Sequence, residues 1–166
     1  MLSNEDILKA RRAGLSIDPW APHLLGPCSY DLTLGGEFLV PRLNHVTSMP
    51  DGEYDYSPVN GEILLLSSGQ TVLGTTIERV KIPLNLCGIL DGKSSWARRG
   101  LAVHSTASMI QPGFEGRITL ELTNTNRRPV LLHLGDQVAQ LRFERLETPA
   151  SIKYKGRYAD QEGPQL

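Results

Sequence analysis

Arg117-Ile118-Thr119-Leu120-Glu121-Leu122-Thr123-Asn124 reads as a β-strand on its own evidence. Ile118, Leu120 and Leu122 alternate with Arg117, Thr119, Glu121 and Thr123, and successive side chains of a strand point to opposite faces. One face is apolar and belongs to a core. The other carries one carboxylate, Glu121. On a solvent face Glu121 is an ordinary surface acid. On a cavity wall it is a carboxylate on rigid structure, whose pKa desolvation would raise, as suits a general base. The strand pattern leaves both open.

Working outward, the same texture recurs in short runs. Ser29-Tyr30-Asp31-Leu32-Thr33-Leu34 alternates, with Tyr30, Leu32 and Leu34 on one face. Gly35-Gly36 then turns the chain, and Glu37-Phe38-Leu39-Val40 follows as its partner. Residues 62–66, 70–80, 84–90, 101–103, 130–134 and 138–143 are further strands, with Gly135-Asp136 as the turn between the last two. Residues 42–60, carrying Asn44, Pro50, Asp51, Gly52, Pro58 and Asn60, read as a surface loop. One helix precedes them all. Ser3 is its N-cap, Asp6 gives a weak capping box, Gly14 stops it, and Ile7, Leu8 and Ala10 form the docking face. About nine or ten short strands behind one helix argue for an all-β barrel or sandwich.

The 166 residues make one domain's worth of chain, and 40% apolar with 21% charged residues is an ordinary globular composition. Seventeen Lys and Arg against eighteen Asp and Glu leave a formal charge of −1. No global field draws such a protein to nucleic acid or to an anionic membrane, so any anion must be held by a local cluster. Cys28 and Cys87 are too few for a disulfide framework and read as two buried thiols. Glu5, Asp6, Lys9, Arg11 and Arg12 rule out a signal peptide's apolar core near the start. Ile63-Leu64-Leu65-Leu66, among the longest apolar runs, falls far short of the roughly 20 residues of a membrane span. A cytoplasmic protein is expected.

Chemistry concentrates in Asp91-Gly92-Lys93-Ser94-Ser95-Trp96-Ala97-Arg98-Arg99-Gly100. Backbone amides after a glycine can cradle an anion, hydroxyls donate to phosphate oxygens, and Arg forks grip them. A polyphosphate site and a plain basic loop both fit, while a Walker loop does not, because the spacing is wrong. His23, His104 and His133 lie far apart, neither cysteine belongs to a C-x-x-C, and no zinc set is expected. No G-x-S-x-G elbow is present. Residues 154–166 have no periodicity and by composition read as a frayed tail, or as a flexible arm that orders over a ligand.

Several ordered motifs together carry a resemblance. Gly92-Lys93-Ser94-Ser95-Trp96-Ala97-Arg98-Arg99-Gly100-Leu101, then Val103-His104-x-Thr106-Ala107, then Pro112-Gly113-Phe114-x-Gly116-Arg117-Ile118-x-Leu120-Glu121 are similar to the dCTP deaminase branch of the dUTPase superfamily. Ser16-Ile17-x-Pro19, the 29–35 run, Gly135-Asp136-Gln137 and Arg157-Tyr158-Ala159-Asp160-Gln161-Glu162-Gly163 extend it over nearly the whole chain. The resemblance implies a mainly all-β, distorted β-barrel in one domain spanning 1–166, with 154–166 as an arm closing over the nucleotide. It implies a homotrimer with intersubunit sites, and no nucleic-acid or membrane partner. It makes Glu121 the base that activates water against cytosine C4, with Ser94 polarising that water and Arg98 holding charge and orientation. It places Lys93, Ser94, Ser95, Trp96, Ala97, Arg98, Ala107, Gln111, Thr119, Leu120, Glu121, Tyr154, Arg157 and Gln161 at the substrate. No zinc is implied, unlike deaminases with an H-x-E and P-C-x-x-C signature. Mg²⁺ is expected on the triphosphate only, and dCTP, dUTP and, as a feedback inhibitor, dTTP are the ligands to expect.

The chain also departs from that family. Gln111 stands where Asp is usual, and Gln can hydrogen-bond a sugar hydroxyl but cannot act as a base. Lys93 stands where Arg is common, which keeps a phosphate contact without the bidentate geometry. Arg157 replaces a common Lys, and a tail ending at Leu166 implies weaker closure. The resemblance implies dCTP deamination to dUTP and ammonia. A bifunctional enzyme giving dUMP and pyrophosphate, and a non-catalytic nucleotide-binding regulator, are the alternatives.

Overall fold

The computed structural model describes residues 1–42 and 56–166. It opens with α1 (Asn4–Arg12), and Ser3 caps it as expected, its Oγ accepting from the Asp6 amide at 3.3 Å. Ile7 and Ala10 are buried against the body of the fold, whereas Leu8 is only half-buried. Gly14 follows the helix at φ +111°, a conformation that favours glycine.

The strands are β1 (Ser16–Asp18), β2 (Tyr30–Thr33), β3 (Glu37–Pro41), β4 (Tyr56–Asn60), β5 (Ile63–Leu66) and β6 (Thr71–Lys81). They continue as β7 (Leu86–Gly92), β8 (Leu101–Ala102), β9 (Met109–Ile110), β10 (Glu115–Asn124), β11 (Val130–His133) and β12 (Gln137–Arg145). Among the described residues they form three sheets. The largest runs β4-β3-β6-β10-β8, with β1 also on β6. The second runs β2-β12-β7-β9, and β5 pairs with β11 alone. All pairings are antiparallel, and the three sheets wrap one continuous apolar cluster in which Tyr30, Leu32, Leu66, Leu120, Leu122 and Phe143 are fully buried. This is the barrel-like all-β architecture expected, broken into three ladders rather than closed as one.

β10 shows the alternation without exception: its even-numbered positions are buried and its odd-numbered ones half-exposed. It pairs along β6, with a shift of register between Arg117 and Thr119. β6 is long and rich in Thr and Val, residues that fit a pleated, half-buried surface. At its far end Glu78 is 2% exposed. Its carboxylate accepts from the Thr33 amide at 2.9 Å and the Thr33 hydroxyl at 2.7 Å, tying β2 to β6. Burial pushes its pKa above the ordinary range in spite of those bonds.

Four expectations need correction. Gly35-Gly36 does not fold β3 back onto β2. The chain crosses between sheets there: the Leu34 amide donates to the Asp136 carbonyl and the Gly35 amide to the Thr75 carbonyl, so β2 pairs with β12 and β3 with β4 and β6. The stretch 42–60 is not all loop, since 56–60 form edge strand β4; residues 43–55 lie outside those described. A second short helix, α2 (Ser94–Ala97), and a 3₁₀ turn at Pro22–Leu24 join α1. Cys87 is buried, but Cys28 is only half-buried. Among the described residues no helix is long and apolar enough to cross a membrane.

Candidate functional site

The odd-numbered face of β10 borders a cavity of about 610 Å³. Thr119 and Glu121 form its floor together with Thr71 and Leu73 of β6, which the register sets beside them: Glu121 lies opposite Leu73, and Thr123 opposite Thr71. One wall is the 105–111 segment, with Ser105, Ala107, Ile110 and Gln111. The exposed Ala107 is small enough to leave room at the rim. Phe114 and Ile118 add apolar surface, and Tyr56 also lines the cavity. Among the described residues Glu121 is the one side-chain carboxylate on the lining, and Arg157 the one cation.

Glu121 is held at both ends. Its amide donates to the Val103 carbonyl at 2.9 Å, and its Oε2 accepts from the Ser105 amide at 2.5 Å. The carboxylate is therefore oriented by main chain at the edge of the cavity. Leu120 is different: its side chain is fully buried in the core, so any substrate contact there is limited to its backbone.

The C-terminal segment is not a frayed tail. Tyr154, Arg157, Tyr158, Gln161 and Gln165 line the same cavity and roof it. Gln161 is 4% exposed. Its carbonyl accepts from the Arg117 amide at 2.9 Å, and its Nε2 donates to the Arg117 carbonyl at 2.5 Å. The Thr119 hydroxyl donates to its Oε1 at 3.4 Å, and the Gln165 amide donates to that same hydroxyl at 3.3 Å. Two glycines admit the arm. A Cβ on Gly116, at φ +155°, would stand 2.8 Å from the Gln161 carbonyl oxygen, and one on Gly113, at φ +81°, would stand 3.0 Å from the Lys153 Cα. A side chain at Gly116 would force its neighbour to move, and one at Gly113 would crowd the Lys153 backbone at a strained φ, so both positions serve close backbone approach.

The basic segment stands apart. None of the residues 93–98 lines this cavity within the protomer. Ser94, Ser95, Ala97 and Arg98 are exposed, Trp96 is half-buried, and the Arg99 guanidinium lies 5.4 Å from the Trp96 ring centre. Lys93 is engaged inside the fold, ion-paired with Asp31 and donating to Gln137 Oε1 at 3.0 Å. No group of three or more His, Cys, Asp or Glu among the described residues could hold a metal ion. Apart from Leu120, whose side chain is in the core, the site residues named from sequence thus fall into two sets. Ala107, Gln111, Thr119, Glu121, Tyr154, Arg157 and Gln161 converge on the cavity, and 93–98 do not. Thr71 and Leu73 were missed, although pairing β6 against β10 would have found them. Tyr56 was hidden in the stretch read as loop.

The fold places the chain among dUTPase-like β-proteins. It superposes on 2′-deoxycytidine 5′-triphosphate deaminase from Agrobacterium tumefaciens with a TM-score of 0.69 at 19% identity, over 87% of this chain, which spans only 47% of that one. A dUTPase from phage phi11 of Staphylococcus aureus matches with a TM-score of 0.55 at 15% identity, over 86% of this chain and 97% of the other. A family model described as dCTP deaminase-like matches residues 1–146. A relative named "dCTP deaminase, dUMP-forming" from Bifidobacterium longum is 38% identical over 99% of this chain and 91% of its own length. The chain belongs to the dCTP deaminase-like family.

Proposed function

We propose that the protein deaminates dCTP hydrolytically, giving dUTP and ammonia. The observation that carries this is Glu121, a carboxylate aimed by the Ser105 amide at the edge of a cavity that holds no second acidic side chain among the described residues. Glu121 takes a proton from water, and the hydroxide adds to C4 of cytosine. Glu121 then returns the proton as the C4–N bond breaks and ammonia leaves, which balances dCTP plus water against dUTP plus ammonia.

The triphosphate needs more than Arg157, whereas Lys93, Arg98 and Arg99 lie outside this cavity. The reading is therefore an oligomer, a homotrimer by resemblance, in which the 93–98 segment of one copy completes the cavity of the next. Ser94 would position the water there, and Arg98 the reacting groups. The outward face of β5 and β11, with Ile63, Leu65 and Leu131 all exposed, supports association, because apolar surface gathered in this way is typical of interfaces. Mg²⁺ enters as the counter-ion of the triphosphate. The arm from 154 to 166 covers the bound nucleotide. A cytoplasmic location and dTTP feedback belong to the same reading.

A second reading, dCTP to dUMP and pyrophosphate, is favoured by the name of the Bifidobacterium relative. Gln111, which lies on the cavity wall, supplies no base for it. Incubation of the protein with dCTP and Mg²⁺, followed by separation of the nucleotides, decides. dUTP with ammonia is expected, and Glu121→Gln should bind dCTP while losing about 10²- to 10⁴-fold in turnover. Retained deamination in that variant would overturn the role of Glu121. dUMP would establish the second reading, and binding without turnover would indicate a regulator.

A further inference from the structure

Arg79 lies on β6 opposite Asp18 of β1 and Arg117 of β10, outside the cavity. Its guanidinium sits among three carboxylates from two parts of the chain. Glu115 of β10 is 3.6 Å away, Asp160 of the arm is 3.8 Å away, and Glu162 of the arm is ion-paired with it directly. Lys81 takes the other side of Glu115 at 3.0 Å, so Glu115 is shared between the two cations. Asp160 and Glu162 flank Gln161, the residue that locks the arm to β10. The arm is thus two-faced. Arg157, Tyr158 and Gln161 look into the cavity, while the acids on either side of Gln161 reach back to Arg79.

We propose that Arg79 is a positioning residue for the reaction, clamping the arm through Glu162 and Asp160 so that Arg157, Tyr158 and Gln161 stand over the Glu121 cavity. This rests on the reading of the arm as the cover of the site. A planar guanidinium suits the task, because its fork meets several carboxylate oxygens at once, which an ammonium does less well. The arm partners are well exposed, with 68% of each side chain accessible against 32% for Arg79. The clamp is therefore screened by salt and weak enough to let the arm open for each product.

The test uses the full chain with Arg79→Met, Arg79→Lys, Glu162→Gln and the Met/Gln double variant. Trypsin cleavage after Lys155 and Arg157 reads the arm without nucleotide, at low salt and at about 0.5 M salt, where the screening length falls to a few ångströms. Arg79→Met and Glu162→Gln should each speed cleavage by about 1.5- to fivefold, as expected for partly exposed charge pairs. The double variant should add little, Arg79→Lys should recover part of the protection, and high salt should speed cleavage of the wild type but not of Arg79→Met. The KM for dCTP should rise with kcat changed less, while the melting temperature of Glu162→Gln stays at the wild-type value. Wild-type cleavage rates in both single variants, or wild-type cleavage indifferent to salt, would overturn the clamp. Faster cleavage with unchanged dCTP kinetics would overturn the positioning role. If the wild type releases no ammonia from dCTP, the deaminase reading fails, and the cleavage data still decide the clamp by themselves.

Discussion

Replacing Gly116 with alanine should unseat the arm while leaving the barrel intact. The added Cβ would lie 2.8 Å from the Gln161 carbonyl oxygen and 3.0 Å from its nitrogen. Both atoms are backbone, so no rotamer change relieves the contact and Gln161 must lift. Four hydrogen bonds go with it: Arg117 amide to Gln161 carbonyl, Gln161 Nε2 to Arg117 carbonyl, Asp160 amide to Glu115 carbonyl at 2.8 Å, and the long one from the Thr119 hydroxyl to Gln161 Oε1 at 3.4 Å. At about 1 kcal/mol net for each bond, less the conformational freedom the arm regains, closure weakens by about 2 kcal/mol. That is about thirtyfold in the ratio of closed to open arm, since 1.4 kcal/mol is tenfold. kcat/KM for dCTP should fall by up to that factor, with tryptic cleavage after Arg157 accelerating in parallel. Wild-type kcat/KM together with wild-type protection of the arm would refute the reasoning.

Other outcomes follow from the same structure. Asn124 is fully buried; it donates through Nδ2 to the Leu66 and Arg128 carbonyls, and its Oδ1 accepts from the Asn126 amide, so Asn124→Ala should cost about 2–4 kcal/mol, read as a lower urea midpoint at unchanged slope. Glu78 binds its proton more tightly folded than unfolded, so its contribution to stability is full below about pH 4.5 and is lost as pH rises through the elevated native value. Glu78→Gln keeps both contacts, because the Thr33 hydroxyl can accept from an amide, and should remove that pH slope and raise the melting temperature at neutral pH. Light scattering should give three times the 18.3 kDa protomer mass; a monomer at micromolar concentration would refute a shared site.

The sequence made β10 legible because strict alternation leaves one choice of face, and that face located Glu121. The crossing at Gly35-Gly36 was not legible. Which strand the chain meets after a turn is decided by distant groups, here the Thr75 and Asp136 carbonyls. β4 was lost because Pro58 looks like a strand breaker, yet β4 is an edge strand, where a proline is tolerated. The arm looked frayed for a related reason. Its order comes from Gly113, Gly116 and Arg79, which lie in other elements. The basic segment was visible as chemistry, but its separation from the cavity was not, because local spacing does not say which part of the fold a loop ends up facing.

The alternation of β10 also bears on correct assembly. Its odd face presents Thr119 to the arm and Glu121 to the cavity, and its even face is core. A slip of one residue against β6 would exchange the two faces, driving the carboxylate inward and Leu120 out. Burying an unpaired carboxylate is expensive, so the misregistered chain is penalised by the very residue proposed as the base. The carboxylate of Glu121 is in this sense a proofreading device for folding. Glu121→Leu would be expected to lose activity and, at the same time, to loosen the fidelity with which this strand finds its register.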